Sequence, residues 1–261
     1  MSFVQKRVLC LHGYSQNASM LSKKIYQQLA AVQLQCPDIE MIFFDAPHIL
    51  QPVDLPAPSQ MGYFAGFDSE PPPKEPQRGW WKTQNVHVIT AGLEVTLASL
   101  KDILKKRGKF DGVLGFSQGA VLAALLSGLL EKPQMYPSFL EDGKALHPPF
   151  EFCICVAGYK PLDPLGASLV TPDFKTPTLH ILGHNDIVVT PERAQSLIDV
   201  SFNGRVEYHD GGHFIPTKTA WRKFLADYIR NPTGDVPSPN GAKHHGSADS
   251  RPSTPSTPIL D

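Results

Sequence analysis

The stretch that most constrains this chain is Phe110-Asp-Gly-Val-Leu-Gly-Phe-Ser-Gln-Gly-Ala120. A short apolar run closes on Gly115-Phe116-Ser117-Gln118-Gly119, and a helix-forming run, Ala120 to Leu130, follows at once. Strand, tight turn and helix around Gly-x-Ser-x-Gly form the context in which the serine becomes an exposed nucleophile. A turn that short forces Ser117 into a strained backbone conformation. It also predicts that a side chain at Gly115 or Gly119 would collide with the adjoining strand and helix. The same turn aims the N–H of Gln118, at a helix N-terminus, toward a reacting carbonyl oxygen. The pattern alone recurs by chance, so it carries chemistry only if a base and an acid follow in a suitable order.

The rest of the chain alternates strand and helix signals. Val8–Leu11, Ile39–Phe44, Phe152–Ala157, Pro177–Leu182 and Arg205–His209 read as strands, the first as a short buried apolar run and the third as fully apolar. Leu21, Ile25 and Leu29 mark one helix face, and Leu93, Leu97, Leu100 and Leu104 another, which ends in Lys105-Lys106-Arg107-Gly108. Thr190-Pro191-Glu192 has the chemistry of a helix start. Thr217 is the expected cap of a last helix whose stripe is Trp221, Phe224, Leu225, Tyr228 and Ile229. Alternation of this kind implies a parallel sheet covered by helices on both faces.

Two segments break the rhythm. Residues 46–85 are rich in proline yet carry Tyr63, Phe64, Phe67, Trp80 and Trp81. An irregular excursion of that length inside a domain is expected to be functional or disordered, and its aromatics favour a lid or pocket wall. From about Asn231 to Asp261 the chain is Pro, Ser, Gly, Asn and Thr with little apolar content, which predicts a disordered tail after a folded domain spanning 1–230. Within that tail, Ser253-Thr-Pro-Ser-Thr-Pro258 suits proline-directed phosphorylation, and His244-His245 lacks the further ligands a metal site needs.

Composition excludes more than it assigns. With 24 basic and 25 acidic residues the net charge is -1, which gives no reason to expect nucleic acid or an anionic membrane as partner. No apolar run reaches the ~18 residues a membrane span needs, and the N-terminus runs into a strand without a signal-peptide core. Four cysteines without Cys-x-x-Cys spacing read as reduced thiols. The expected location is cytoplasmic, with the nucleus also open.

A serine hydroxyl needs an adjacent base, itself oriented by a carboxylate. In sheet enzymes built on this elbow the order is Ser, then Asp or Glu, then His. Here Asp186 follows the strand ending at Leu182, and His213 follows the strand ending near His209. Exits of parallel strands converge on one edge, so Ser117, Asp186 and His213 can meet. Rivals remain: His184 beside the acid loop, His180 and His209 within strands, His12 beside the first strand exit, and Asp210 as an alternative acid. Gly13 after the first strand lets the backbone bring the Tyr14 N–H in as a second oxyanion donor. Tyr63, Phe64, Trp80 and Trp81 are the candidate substrate pocket. No cofactor or metal is expected.

Several motifs together resemble one family. His12-Gly-Tyr-x-Gln-Asn17, Asp45-Ala-Pro-His48, Arg78-Gly-Trp-Trp81, the Phe110–Ala120 run and Gly211-Gly-His-Phe-Ile-Pro216 look like the fungal family of serine hydrolases and its animal relative, the ovarian cancer-associated esterase. The resemblance covers roughly residues 5–230. It implies an α/β-hydrolase fold with a mostly parallel sheet, and esterase or thioesterase activity on small acyl substrates, including acyl groups on a carrier. It also implies the triad Ser117–Asp186–His213 and the oxyanion donors Tyr14 and Gln118. Two other classes stay open at this point: a non-catalytic ligand-binding protein on the same fold, and an interaction protein whose activity lies in the tail.

Overall fold

The structure is a computed structural model and describes residues 5–33, 37–55, 75–84, 89–162, 164–170, 174–202 and 204–241. Its centre is a six-stranded, wholly parallel sheet: β1 (Lys6–Leu11), β2 (Ile39–Phe44), β7 (Gly112–Phe116), β8 (Phe152–Val156), β9 (Thr178–Gly183) and β10 (Arg205–His209). The spatial order is β10-β9-β8-β7-β1-β2. The chain therefore steps outward from β1 to β2, returns to the far side of β1 as β7, and continues through β8 and β9 to β10. The reversal lies between β1 and β7. Short antiparallel pairs, β3 (His48–Ile49) with β4 (Arg78–Gly79) and β5 (Lys82–Gln84) with β6 (Ile89–Ala91), occupy parts of the 46–91 region. The expected excursion at 46–85 is thus partly paired, while residues 56–74 and 85–88 lie outside the described residues.

Both faces of the sheet are buried, which explains why its strands read as unbroken apolar runs. Along β1, Val8 and Cys10 join one core while Leu9 and Leu11 join the other, the period of two expected of a strand. Helix α2 (Leu93–Arg107) directs Leu93, Leu97, Leu100 and Leu104 into the second core. Its basic last turn and Gly108 end it as the sequence predicts. Helix α3 (Gln118–Glu131) also lies there, and it is buried all round from Gln118 to Leu130, so it shows no polar face. Helix α1 (Ala18–Gln33) contributes Leu21 and Ile25 to the first core. Helices α4 (Pro164–Leu169) and α5 (Pro191–Ile198) connect the later strands. Helix α6 (Thr219–Arg230) adds Trp221, Phe224, Tyr228 and Ile229 to the face that α1 covers. It starts one residue later than expected, with Lys218 rather than Thr217 at the cap, and the Thr217 carbonyl instead accepts a bond from Arg222 Nε at 2.7 Å.

Cys10, Cys153 and Cys155 are free and buried, and no disulfide joins them. Burial pushes the Cys10 thiol up, and the Cys153 contact together with burial does the same to Cys155, so both stay neutral thiols.

The packed chain continues beyond the expected boundary at 230. Val236 is buried against the α1/α6 core, Ser238 Oγ donates to Glu207 Oε2 at 2.7 Å, and Asn240 Nδ2 donates to the Tyr208 carbonyl at 2.6 Å. Residues 231–241 thus brace strand β10, and 242–261 lie outside the described residues. Burying a valine is worth about 1.5–3 kcal/mol, and in a domain of this size each kcal/mol moves the melting temperature by roughly 2–4 °C. A chain ending at 230 should melt about 5 °C lower or more than one ending at 241, as read by calorimetry.

Candidate active site

The sheet reverses between β1 and β7, the place where open α/β sheets leave a crevice beyond their carboxyl ends. Ser117 stands there, at the turn from β7 into α3, with φ 52 and ψ −115. That backbone is sparsely populated for a residue with a side chain and costs of order 1–3 kcal/mol. Neighbours hold it: the Ser117 N–H donates to the Val156 carbonyl at 2.8 Å, and the Ser117 carbonyl accepts from Ala120 at 2.9 Å. The flanking glycines are as tight as the sequence implies. A Cβ at Gly115 would lie 2.1 Å from the Gly119 carbonyl oxygen, and one at Gly119 would lie 2.1 Å from that of Leu11. Helix α3 thus begins in backbone contact with the end of β1.

The loops after β9 and β10 supply the other two groups. They are laced together by the His184 N–H to the His209 carbonyl (2.9 Å) and the Asn185 N–H to the Gly211 carbonyl (3.0 Å). This pairing brings His213 Nδ1 to 2.8 Å from Asp186 Oδ2, and His213 Nε2 to 3.0 Å from Ser117 Oγ. All three residues are buried, and the Phe116 ring backs the imidazole at 5.0 Å between centroids. Asp186 Oδ1 accepts from the Val188 and Val189 N–H groups at 2.9 and 2.8 Å. Burial pushes the Asp186 carboxyl up, but the His213 bond and charge and those two amides outweigh it, so the group lies below the usual range and is ionised near neutrality. An ionised Asp186 makes Nδ1 the protonated nitrogen of a neutral His213. In that tautomer Nε2 is the acceptor for the Ser117 hydroxyl.

The profile of the family described as Serine hydrolase (FSH1) matches residues 1–225. The chain belongs to that family. It is 31% identical to zebrafish (Danio rerio) Esterase OVCA2 over 88% of this chain and 99% of that one. It is 33% identical to an uncharacterized hydrolase of Schizosaccharomyces pombe over 87% of this chain and 51% of that longer one. Among solved structures, acyl-protein thioesterase 2 of Zea mays aligns with a TM-score of 0.55 at 18% identity, covering 87% of this chain and 95% of that one. That likeness places the fold among the α/β-hydrolases.

Within this FSH1-family hydrolase the rival groups have other places. His209 accepts the Gly211 N–H on Nδ1 at 3.1 Å and packs between Phe214 and Trp221. His180 Nε2 lies 3.0 Å from Ser201 Oγ, at the other end of its strand from the site. His184 is exposed and stacks on Tyr208, and Asp210 is exposed, with its carbonyl accepting from Asn185. His12 has its Nδ1 2.7 Å from the Gly13 carbonyl and accepts the Ala46 N–H on Nε2 at 3.0 Å. Among the described residues no cluster of three His, Cys, Asp or Glu side chains could hold a metal ion, and no helix is long and apolar enough to cross a membrane.

The candidate pocket aromatics fare differently. Tyr63 and Phe64 lie outside the described residues. Trp80 and Trp81 are buried in the α2/α3 core, and Trp80 Nε1 donates to the His12 carbonyl at 2.8 Å. The sequence reading also missed the side chain of Gln118. Its Oε1 accepts the Trp80 N–H at 2.8 Å, and its Nε2 donates to the Trp81 carbonyl at 2.9 Å. No local pattern signals such a bond, because its partners are 37 and 38 residues away.

Acid should undo this arrangement. Burial lowers His12, His180 and His209 to about 4 each. An unfolded histidine titrates near ~6.5. Between those values the unfolded chain binds more protons, so stability is lost as pH falls from about 6.5 through 4. A protonated His12 would also turn an N–H toward that of Ala46. Calorimetric melting temperatures should therefore drop steeply over this window, with roughly two to three protons taken up on unfolding near pH 5. A flat profile from pH 7 to 4 would contradict the neutral histidines.

Proposed function

We propose that this chain hydrolyses acyl esters or thioesters through Ser117, His213 and Asp186 and an acyl-enzyme intermediate. One observation carries the reading: an unbroken series of hydrogen bonds from the Ser117 hydroxyl through both His213 nitrogens to Asp186, at the crevice edge of the sheet. His213 Nε2 takes the hydroxyl proton as Oγ attacks the carbonyl carbon. Asp186, held by two backbone amides, keeps the imidazole in the required tautomer and stabilises its cation. The Tyr14 and Gln118 N–H groups are the proposed oxyanion donors, each worth on the order of 10²–10³ in rate. Gln118 suits the task because it is the first residue of α3, where the amide has no acceptor within the helix. His213 then protonates the leaving alcohol or thiol. A water repeats the sequence to release the acid, and no step draws on a cofactor.

The zebrafish relative is named an esterase, which supports the ester reading. The maize neighbour is named an acyl-protein thioesterase, which supports extending it to thioesters. Small acyl esters and acyl groups on coenzyme A or a carrier are the proposed substrates.

Ser117→Ala should abolish both p-nitrophenyl ester turnover and labelling by a fluorophosphonate probe. Asp186→Asn should lower kcat by on the order of 10⁴ while leaving the fold intact. Labelling that survives Ser117→Ala would sink the assignment. Comparing kcat/KM across p-nitrophenyl esters and acyl-coenzyme A thioesters of rising chain length should show a defined optimum and separate oxygen from sulfur leaving groups.

A further inference from the structure

We propose that the Arg78–Trp81 segment is a strap that sets the distance between the two oxyanion donors, with the Gln118 side chain and the Trp80 indole as its positioning residues. The proposal rests on the assignment of the Tyr14 and Gln118 amides as those donors. The donors sit on separate elements, one on the loop after β1 and the other on the first residue of α3. Nothing in either element alone fixes their spacing to the few tenths of an ångström that oxyanion binding requires.

The strap binds both. Toward α3, its Trp80 N–H and Trp81 carbonyl close a two-bond ring with the amide of Gln118, at 2.8 and 2.9 Å. Toward the β1 loop, Trp80 Nε1 donates to the His12 carbonyl at 2.8 Å, and the Arg78 N–H donates to the Gln16 carbonyl at 2.8 Å. Gln16 in turn folds the donor loop: its Oε1 accepts the Gly13 N–H at 3.0 Å, and its own N–H donates to the Gly13 carbonyl at 3.3 Å. The strap is itself anchored, by Thr96 Oγ1 to the Trp80 carbonyl and by Arg78 Nη1 to the Ala46 carbonyl at 3.0 Å. Gln118, Trp80 and His12 are essentially without solvent exposure. In such a site a primary amide is costly to bury unless both of its ends are bonded, and an apolar residue in its place would deprive the Trp80 N–H and the Trp81 carbonyl of their bonds to it. A glutamine with both ends bonded gives directional constraint in return.

The two roles of Gln118 can be separated, because substitution of its side chain leaves its backbone N–H in place. Gln118→Met removes both bonds at nearly constant volume. Trp80→Phe keeps a ring but deletes the bond to His12. Gln118→Glu keeps the acceptor for Trp80. In full-length protein, with active sites titrated by a fluorophosphonate, Gln118→Met and Trp80→Phe should each lower kcat by about 10–100-fold, less than outright loss of a donor. KM should move less than about threefold. Affinity for a trifluoromethyl ketone, which binds as an oxyanion adduct, should fall in the same proportion as kcat/KM. Gln118→Glu should recover part of the loss seen in Gln118→Met.

Undiminished kcat per titrated site in Gln118→Met would overturn the strap, as would losses confined to KM or to the fraction of folded protein. If Gln118→Met does not fold, Trp80→Phe carries the same test. Turnover that Ser117→Ala fails to abolish would instead overturn the underlying active-site assignment, so the two failures are distinct.

Discussion

Backbone contact between the start of α3 and the end of β1 is the constraint from which the site follows. Gly119 lies so close to the Leu11 and His12 carbonyls that only hydrogen fits, and Gly115 is pressed equally against Gly119. Because β1 and β7 are neighbours in register, with Leu11 opposite Gly115, the loop after β1 and the turn at Ser117 emerge side by side. Ser117 and the loop that carries Tyr14 therefore stand beside each other at one edge of the sheet. A sheet wound in one direction only would have placed a crossover between these strands.

The electrostatics depend on keeping one histidine available and the others silent. Asp186 is paired on both oxygens, to His213 on one side and to the Val188 and Val189 amides on the other, so its charge survives burial. A buried carboxylate with a single partner would tend to take up a proton, and the tautomer of His213 would no longer be determined. His12, His180 and His209 face the opposite pressure: burial drives each neutral, and as neutral rings they can accept from backbone or stand beside a hydroxyl. Of these four rings, His213 is the one that bridges an acid and a hydroxyl.

Much of this was legible because the relevant signals are local. The β7–turn–α3 run carries its own geometry in consecutive residues, and the buried strands announce themselves as apolar runs. That Ser117, Asp186 and His213 come within hydrogen-bonding reach was legible because parallel strands deliver their exits to one edge. What escaped was non-local or too short for periodicity. Two-residue strands such as His48–Ile49 and Arg78–Gly79 show no alternation. One valine and two polar side chains dock residues 231–241, too few to stand out from a polar tail. The bond made by the Trp80 indole was not legible, because an aromatic near a proline-rich loop has no visible partner in sequence. Its partner is a carbonyl 68 residues earlier.

The strain at Ser117 goes with the deep burial of the residues around it. A backbone at φ 52 relaxes unless its surroundings over-determine it. Here the N–H is tied to β8, the carbonyl to the first turn of α3, and the helix that follows is buried on every side. A more amphipathic helix could have been assembled from less hydrophobic sequence, but it would have left one side of the turn free to move. The uniform burial of Gln118–Leu130, which looks excessive for a surface layer, backs the turn that holds Ser117 in its strained conformation.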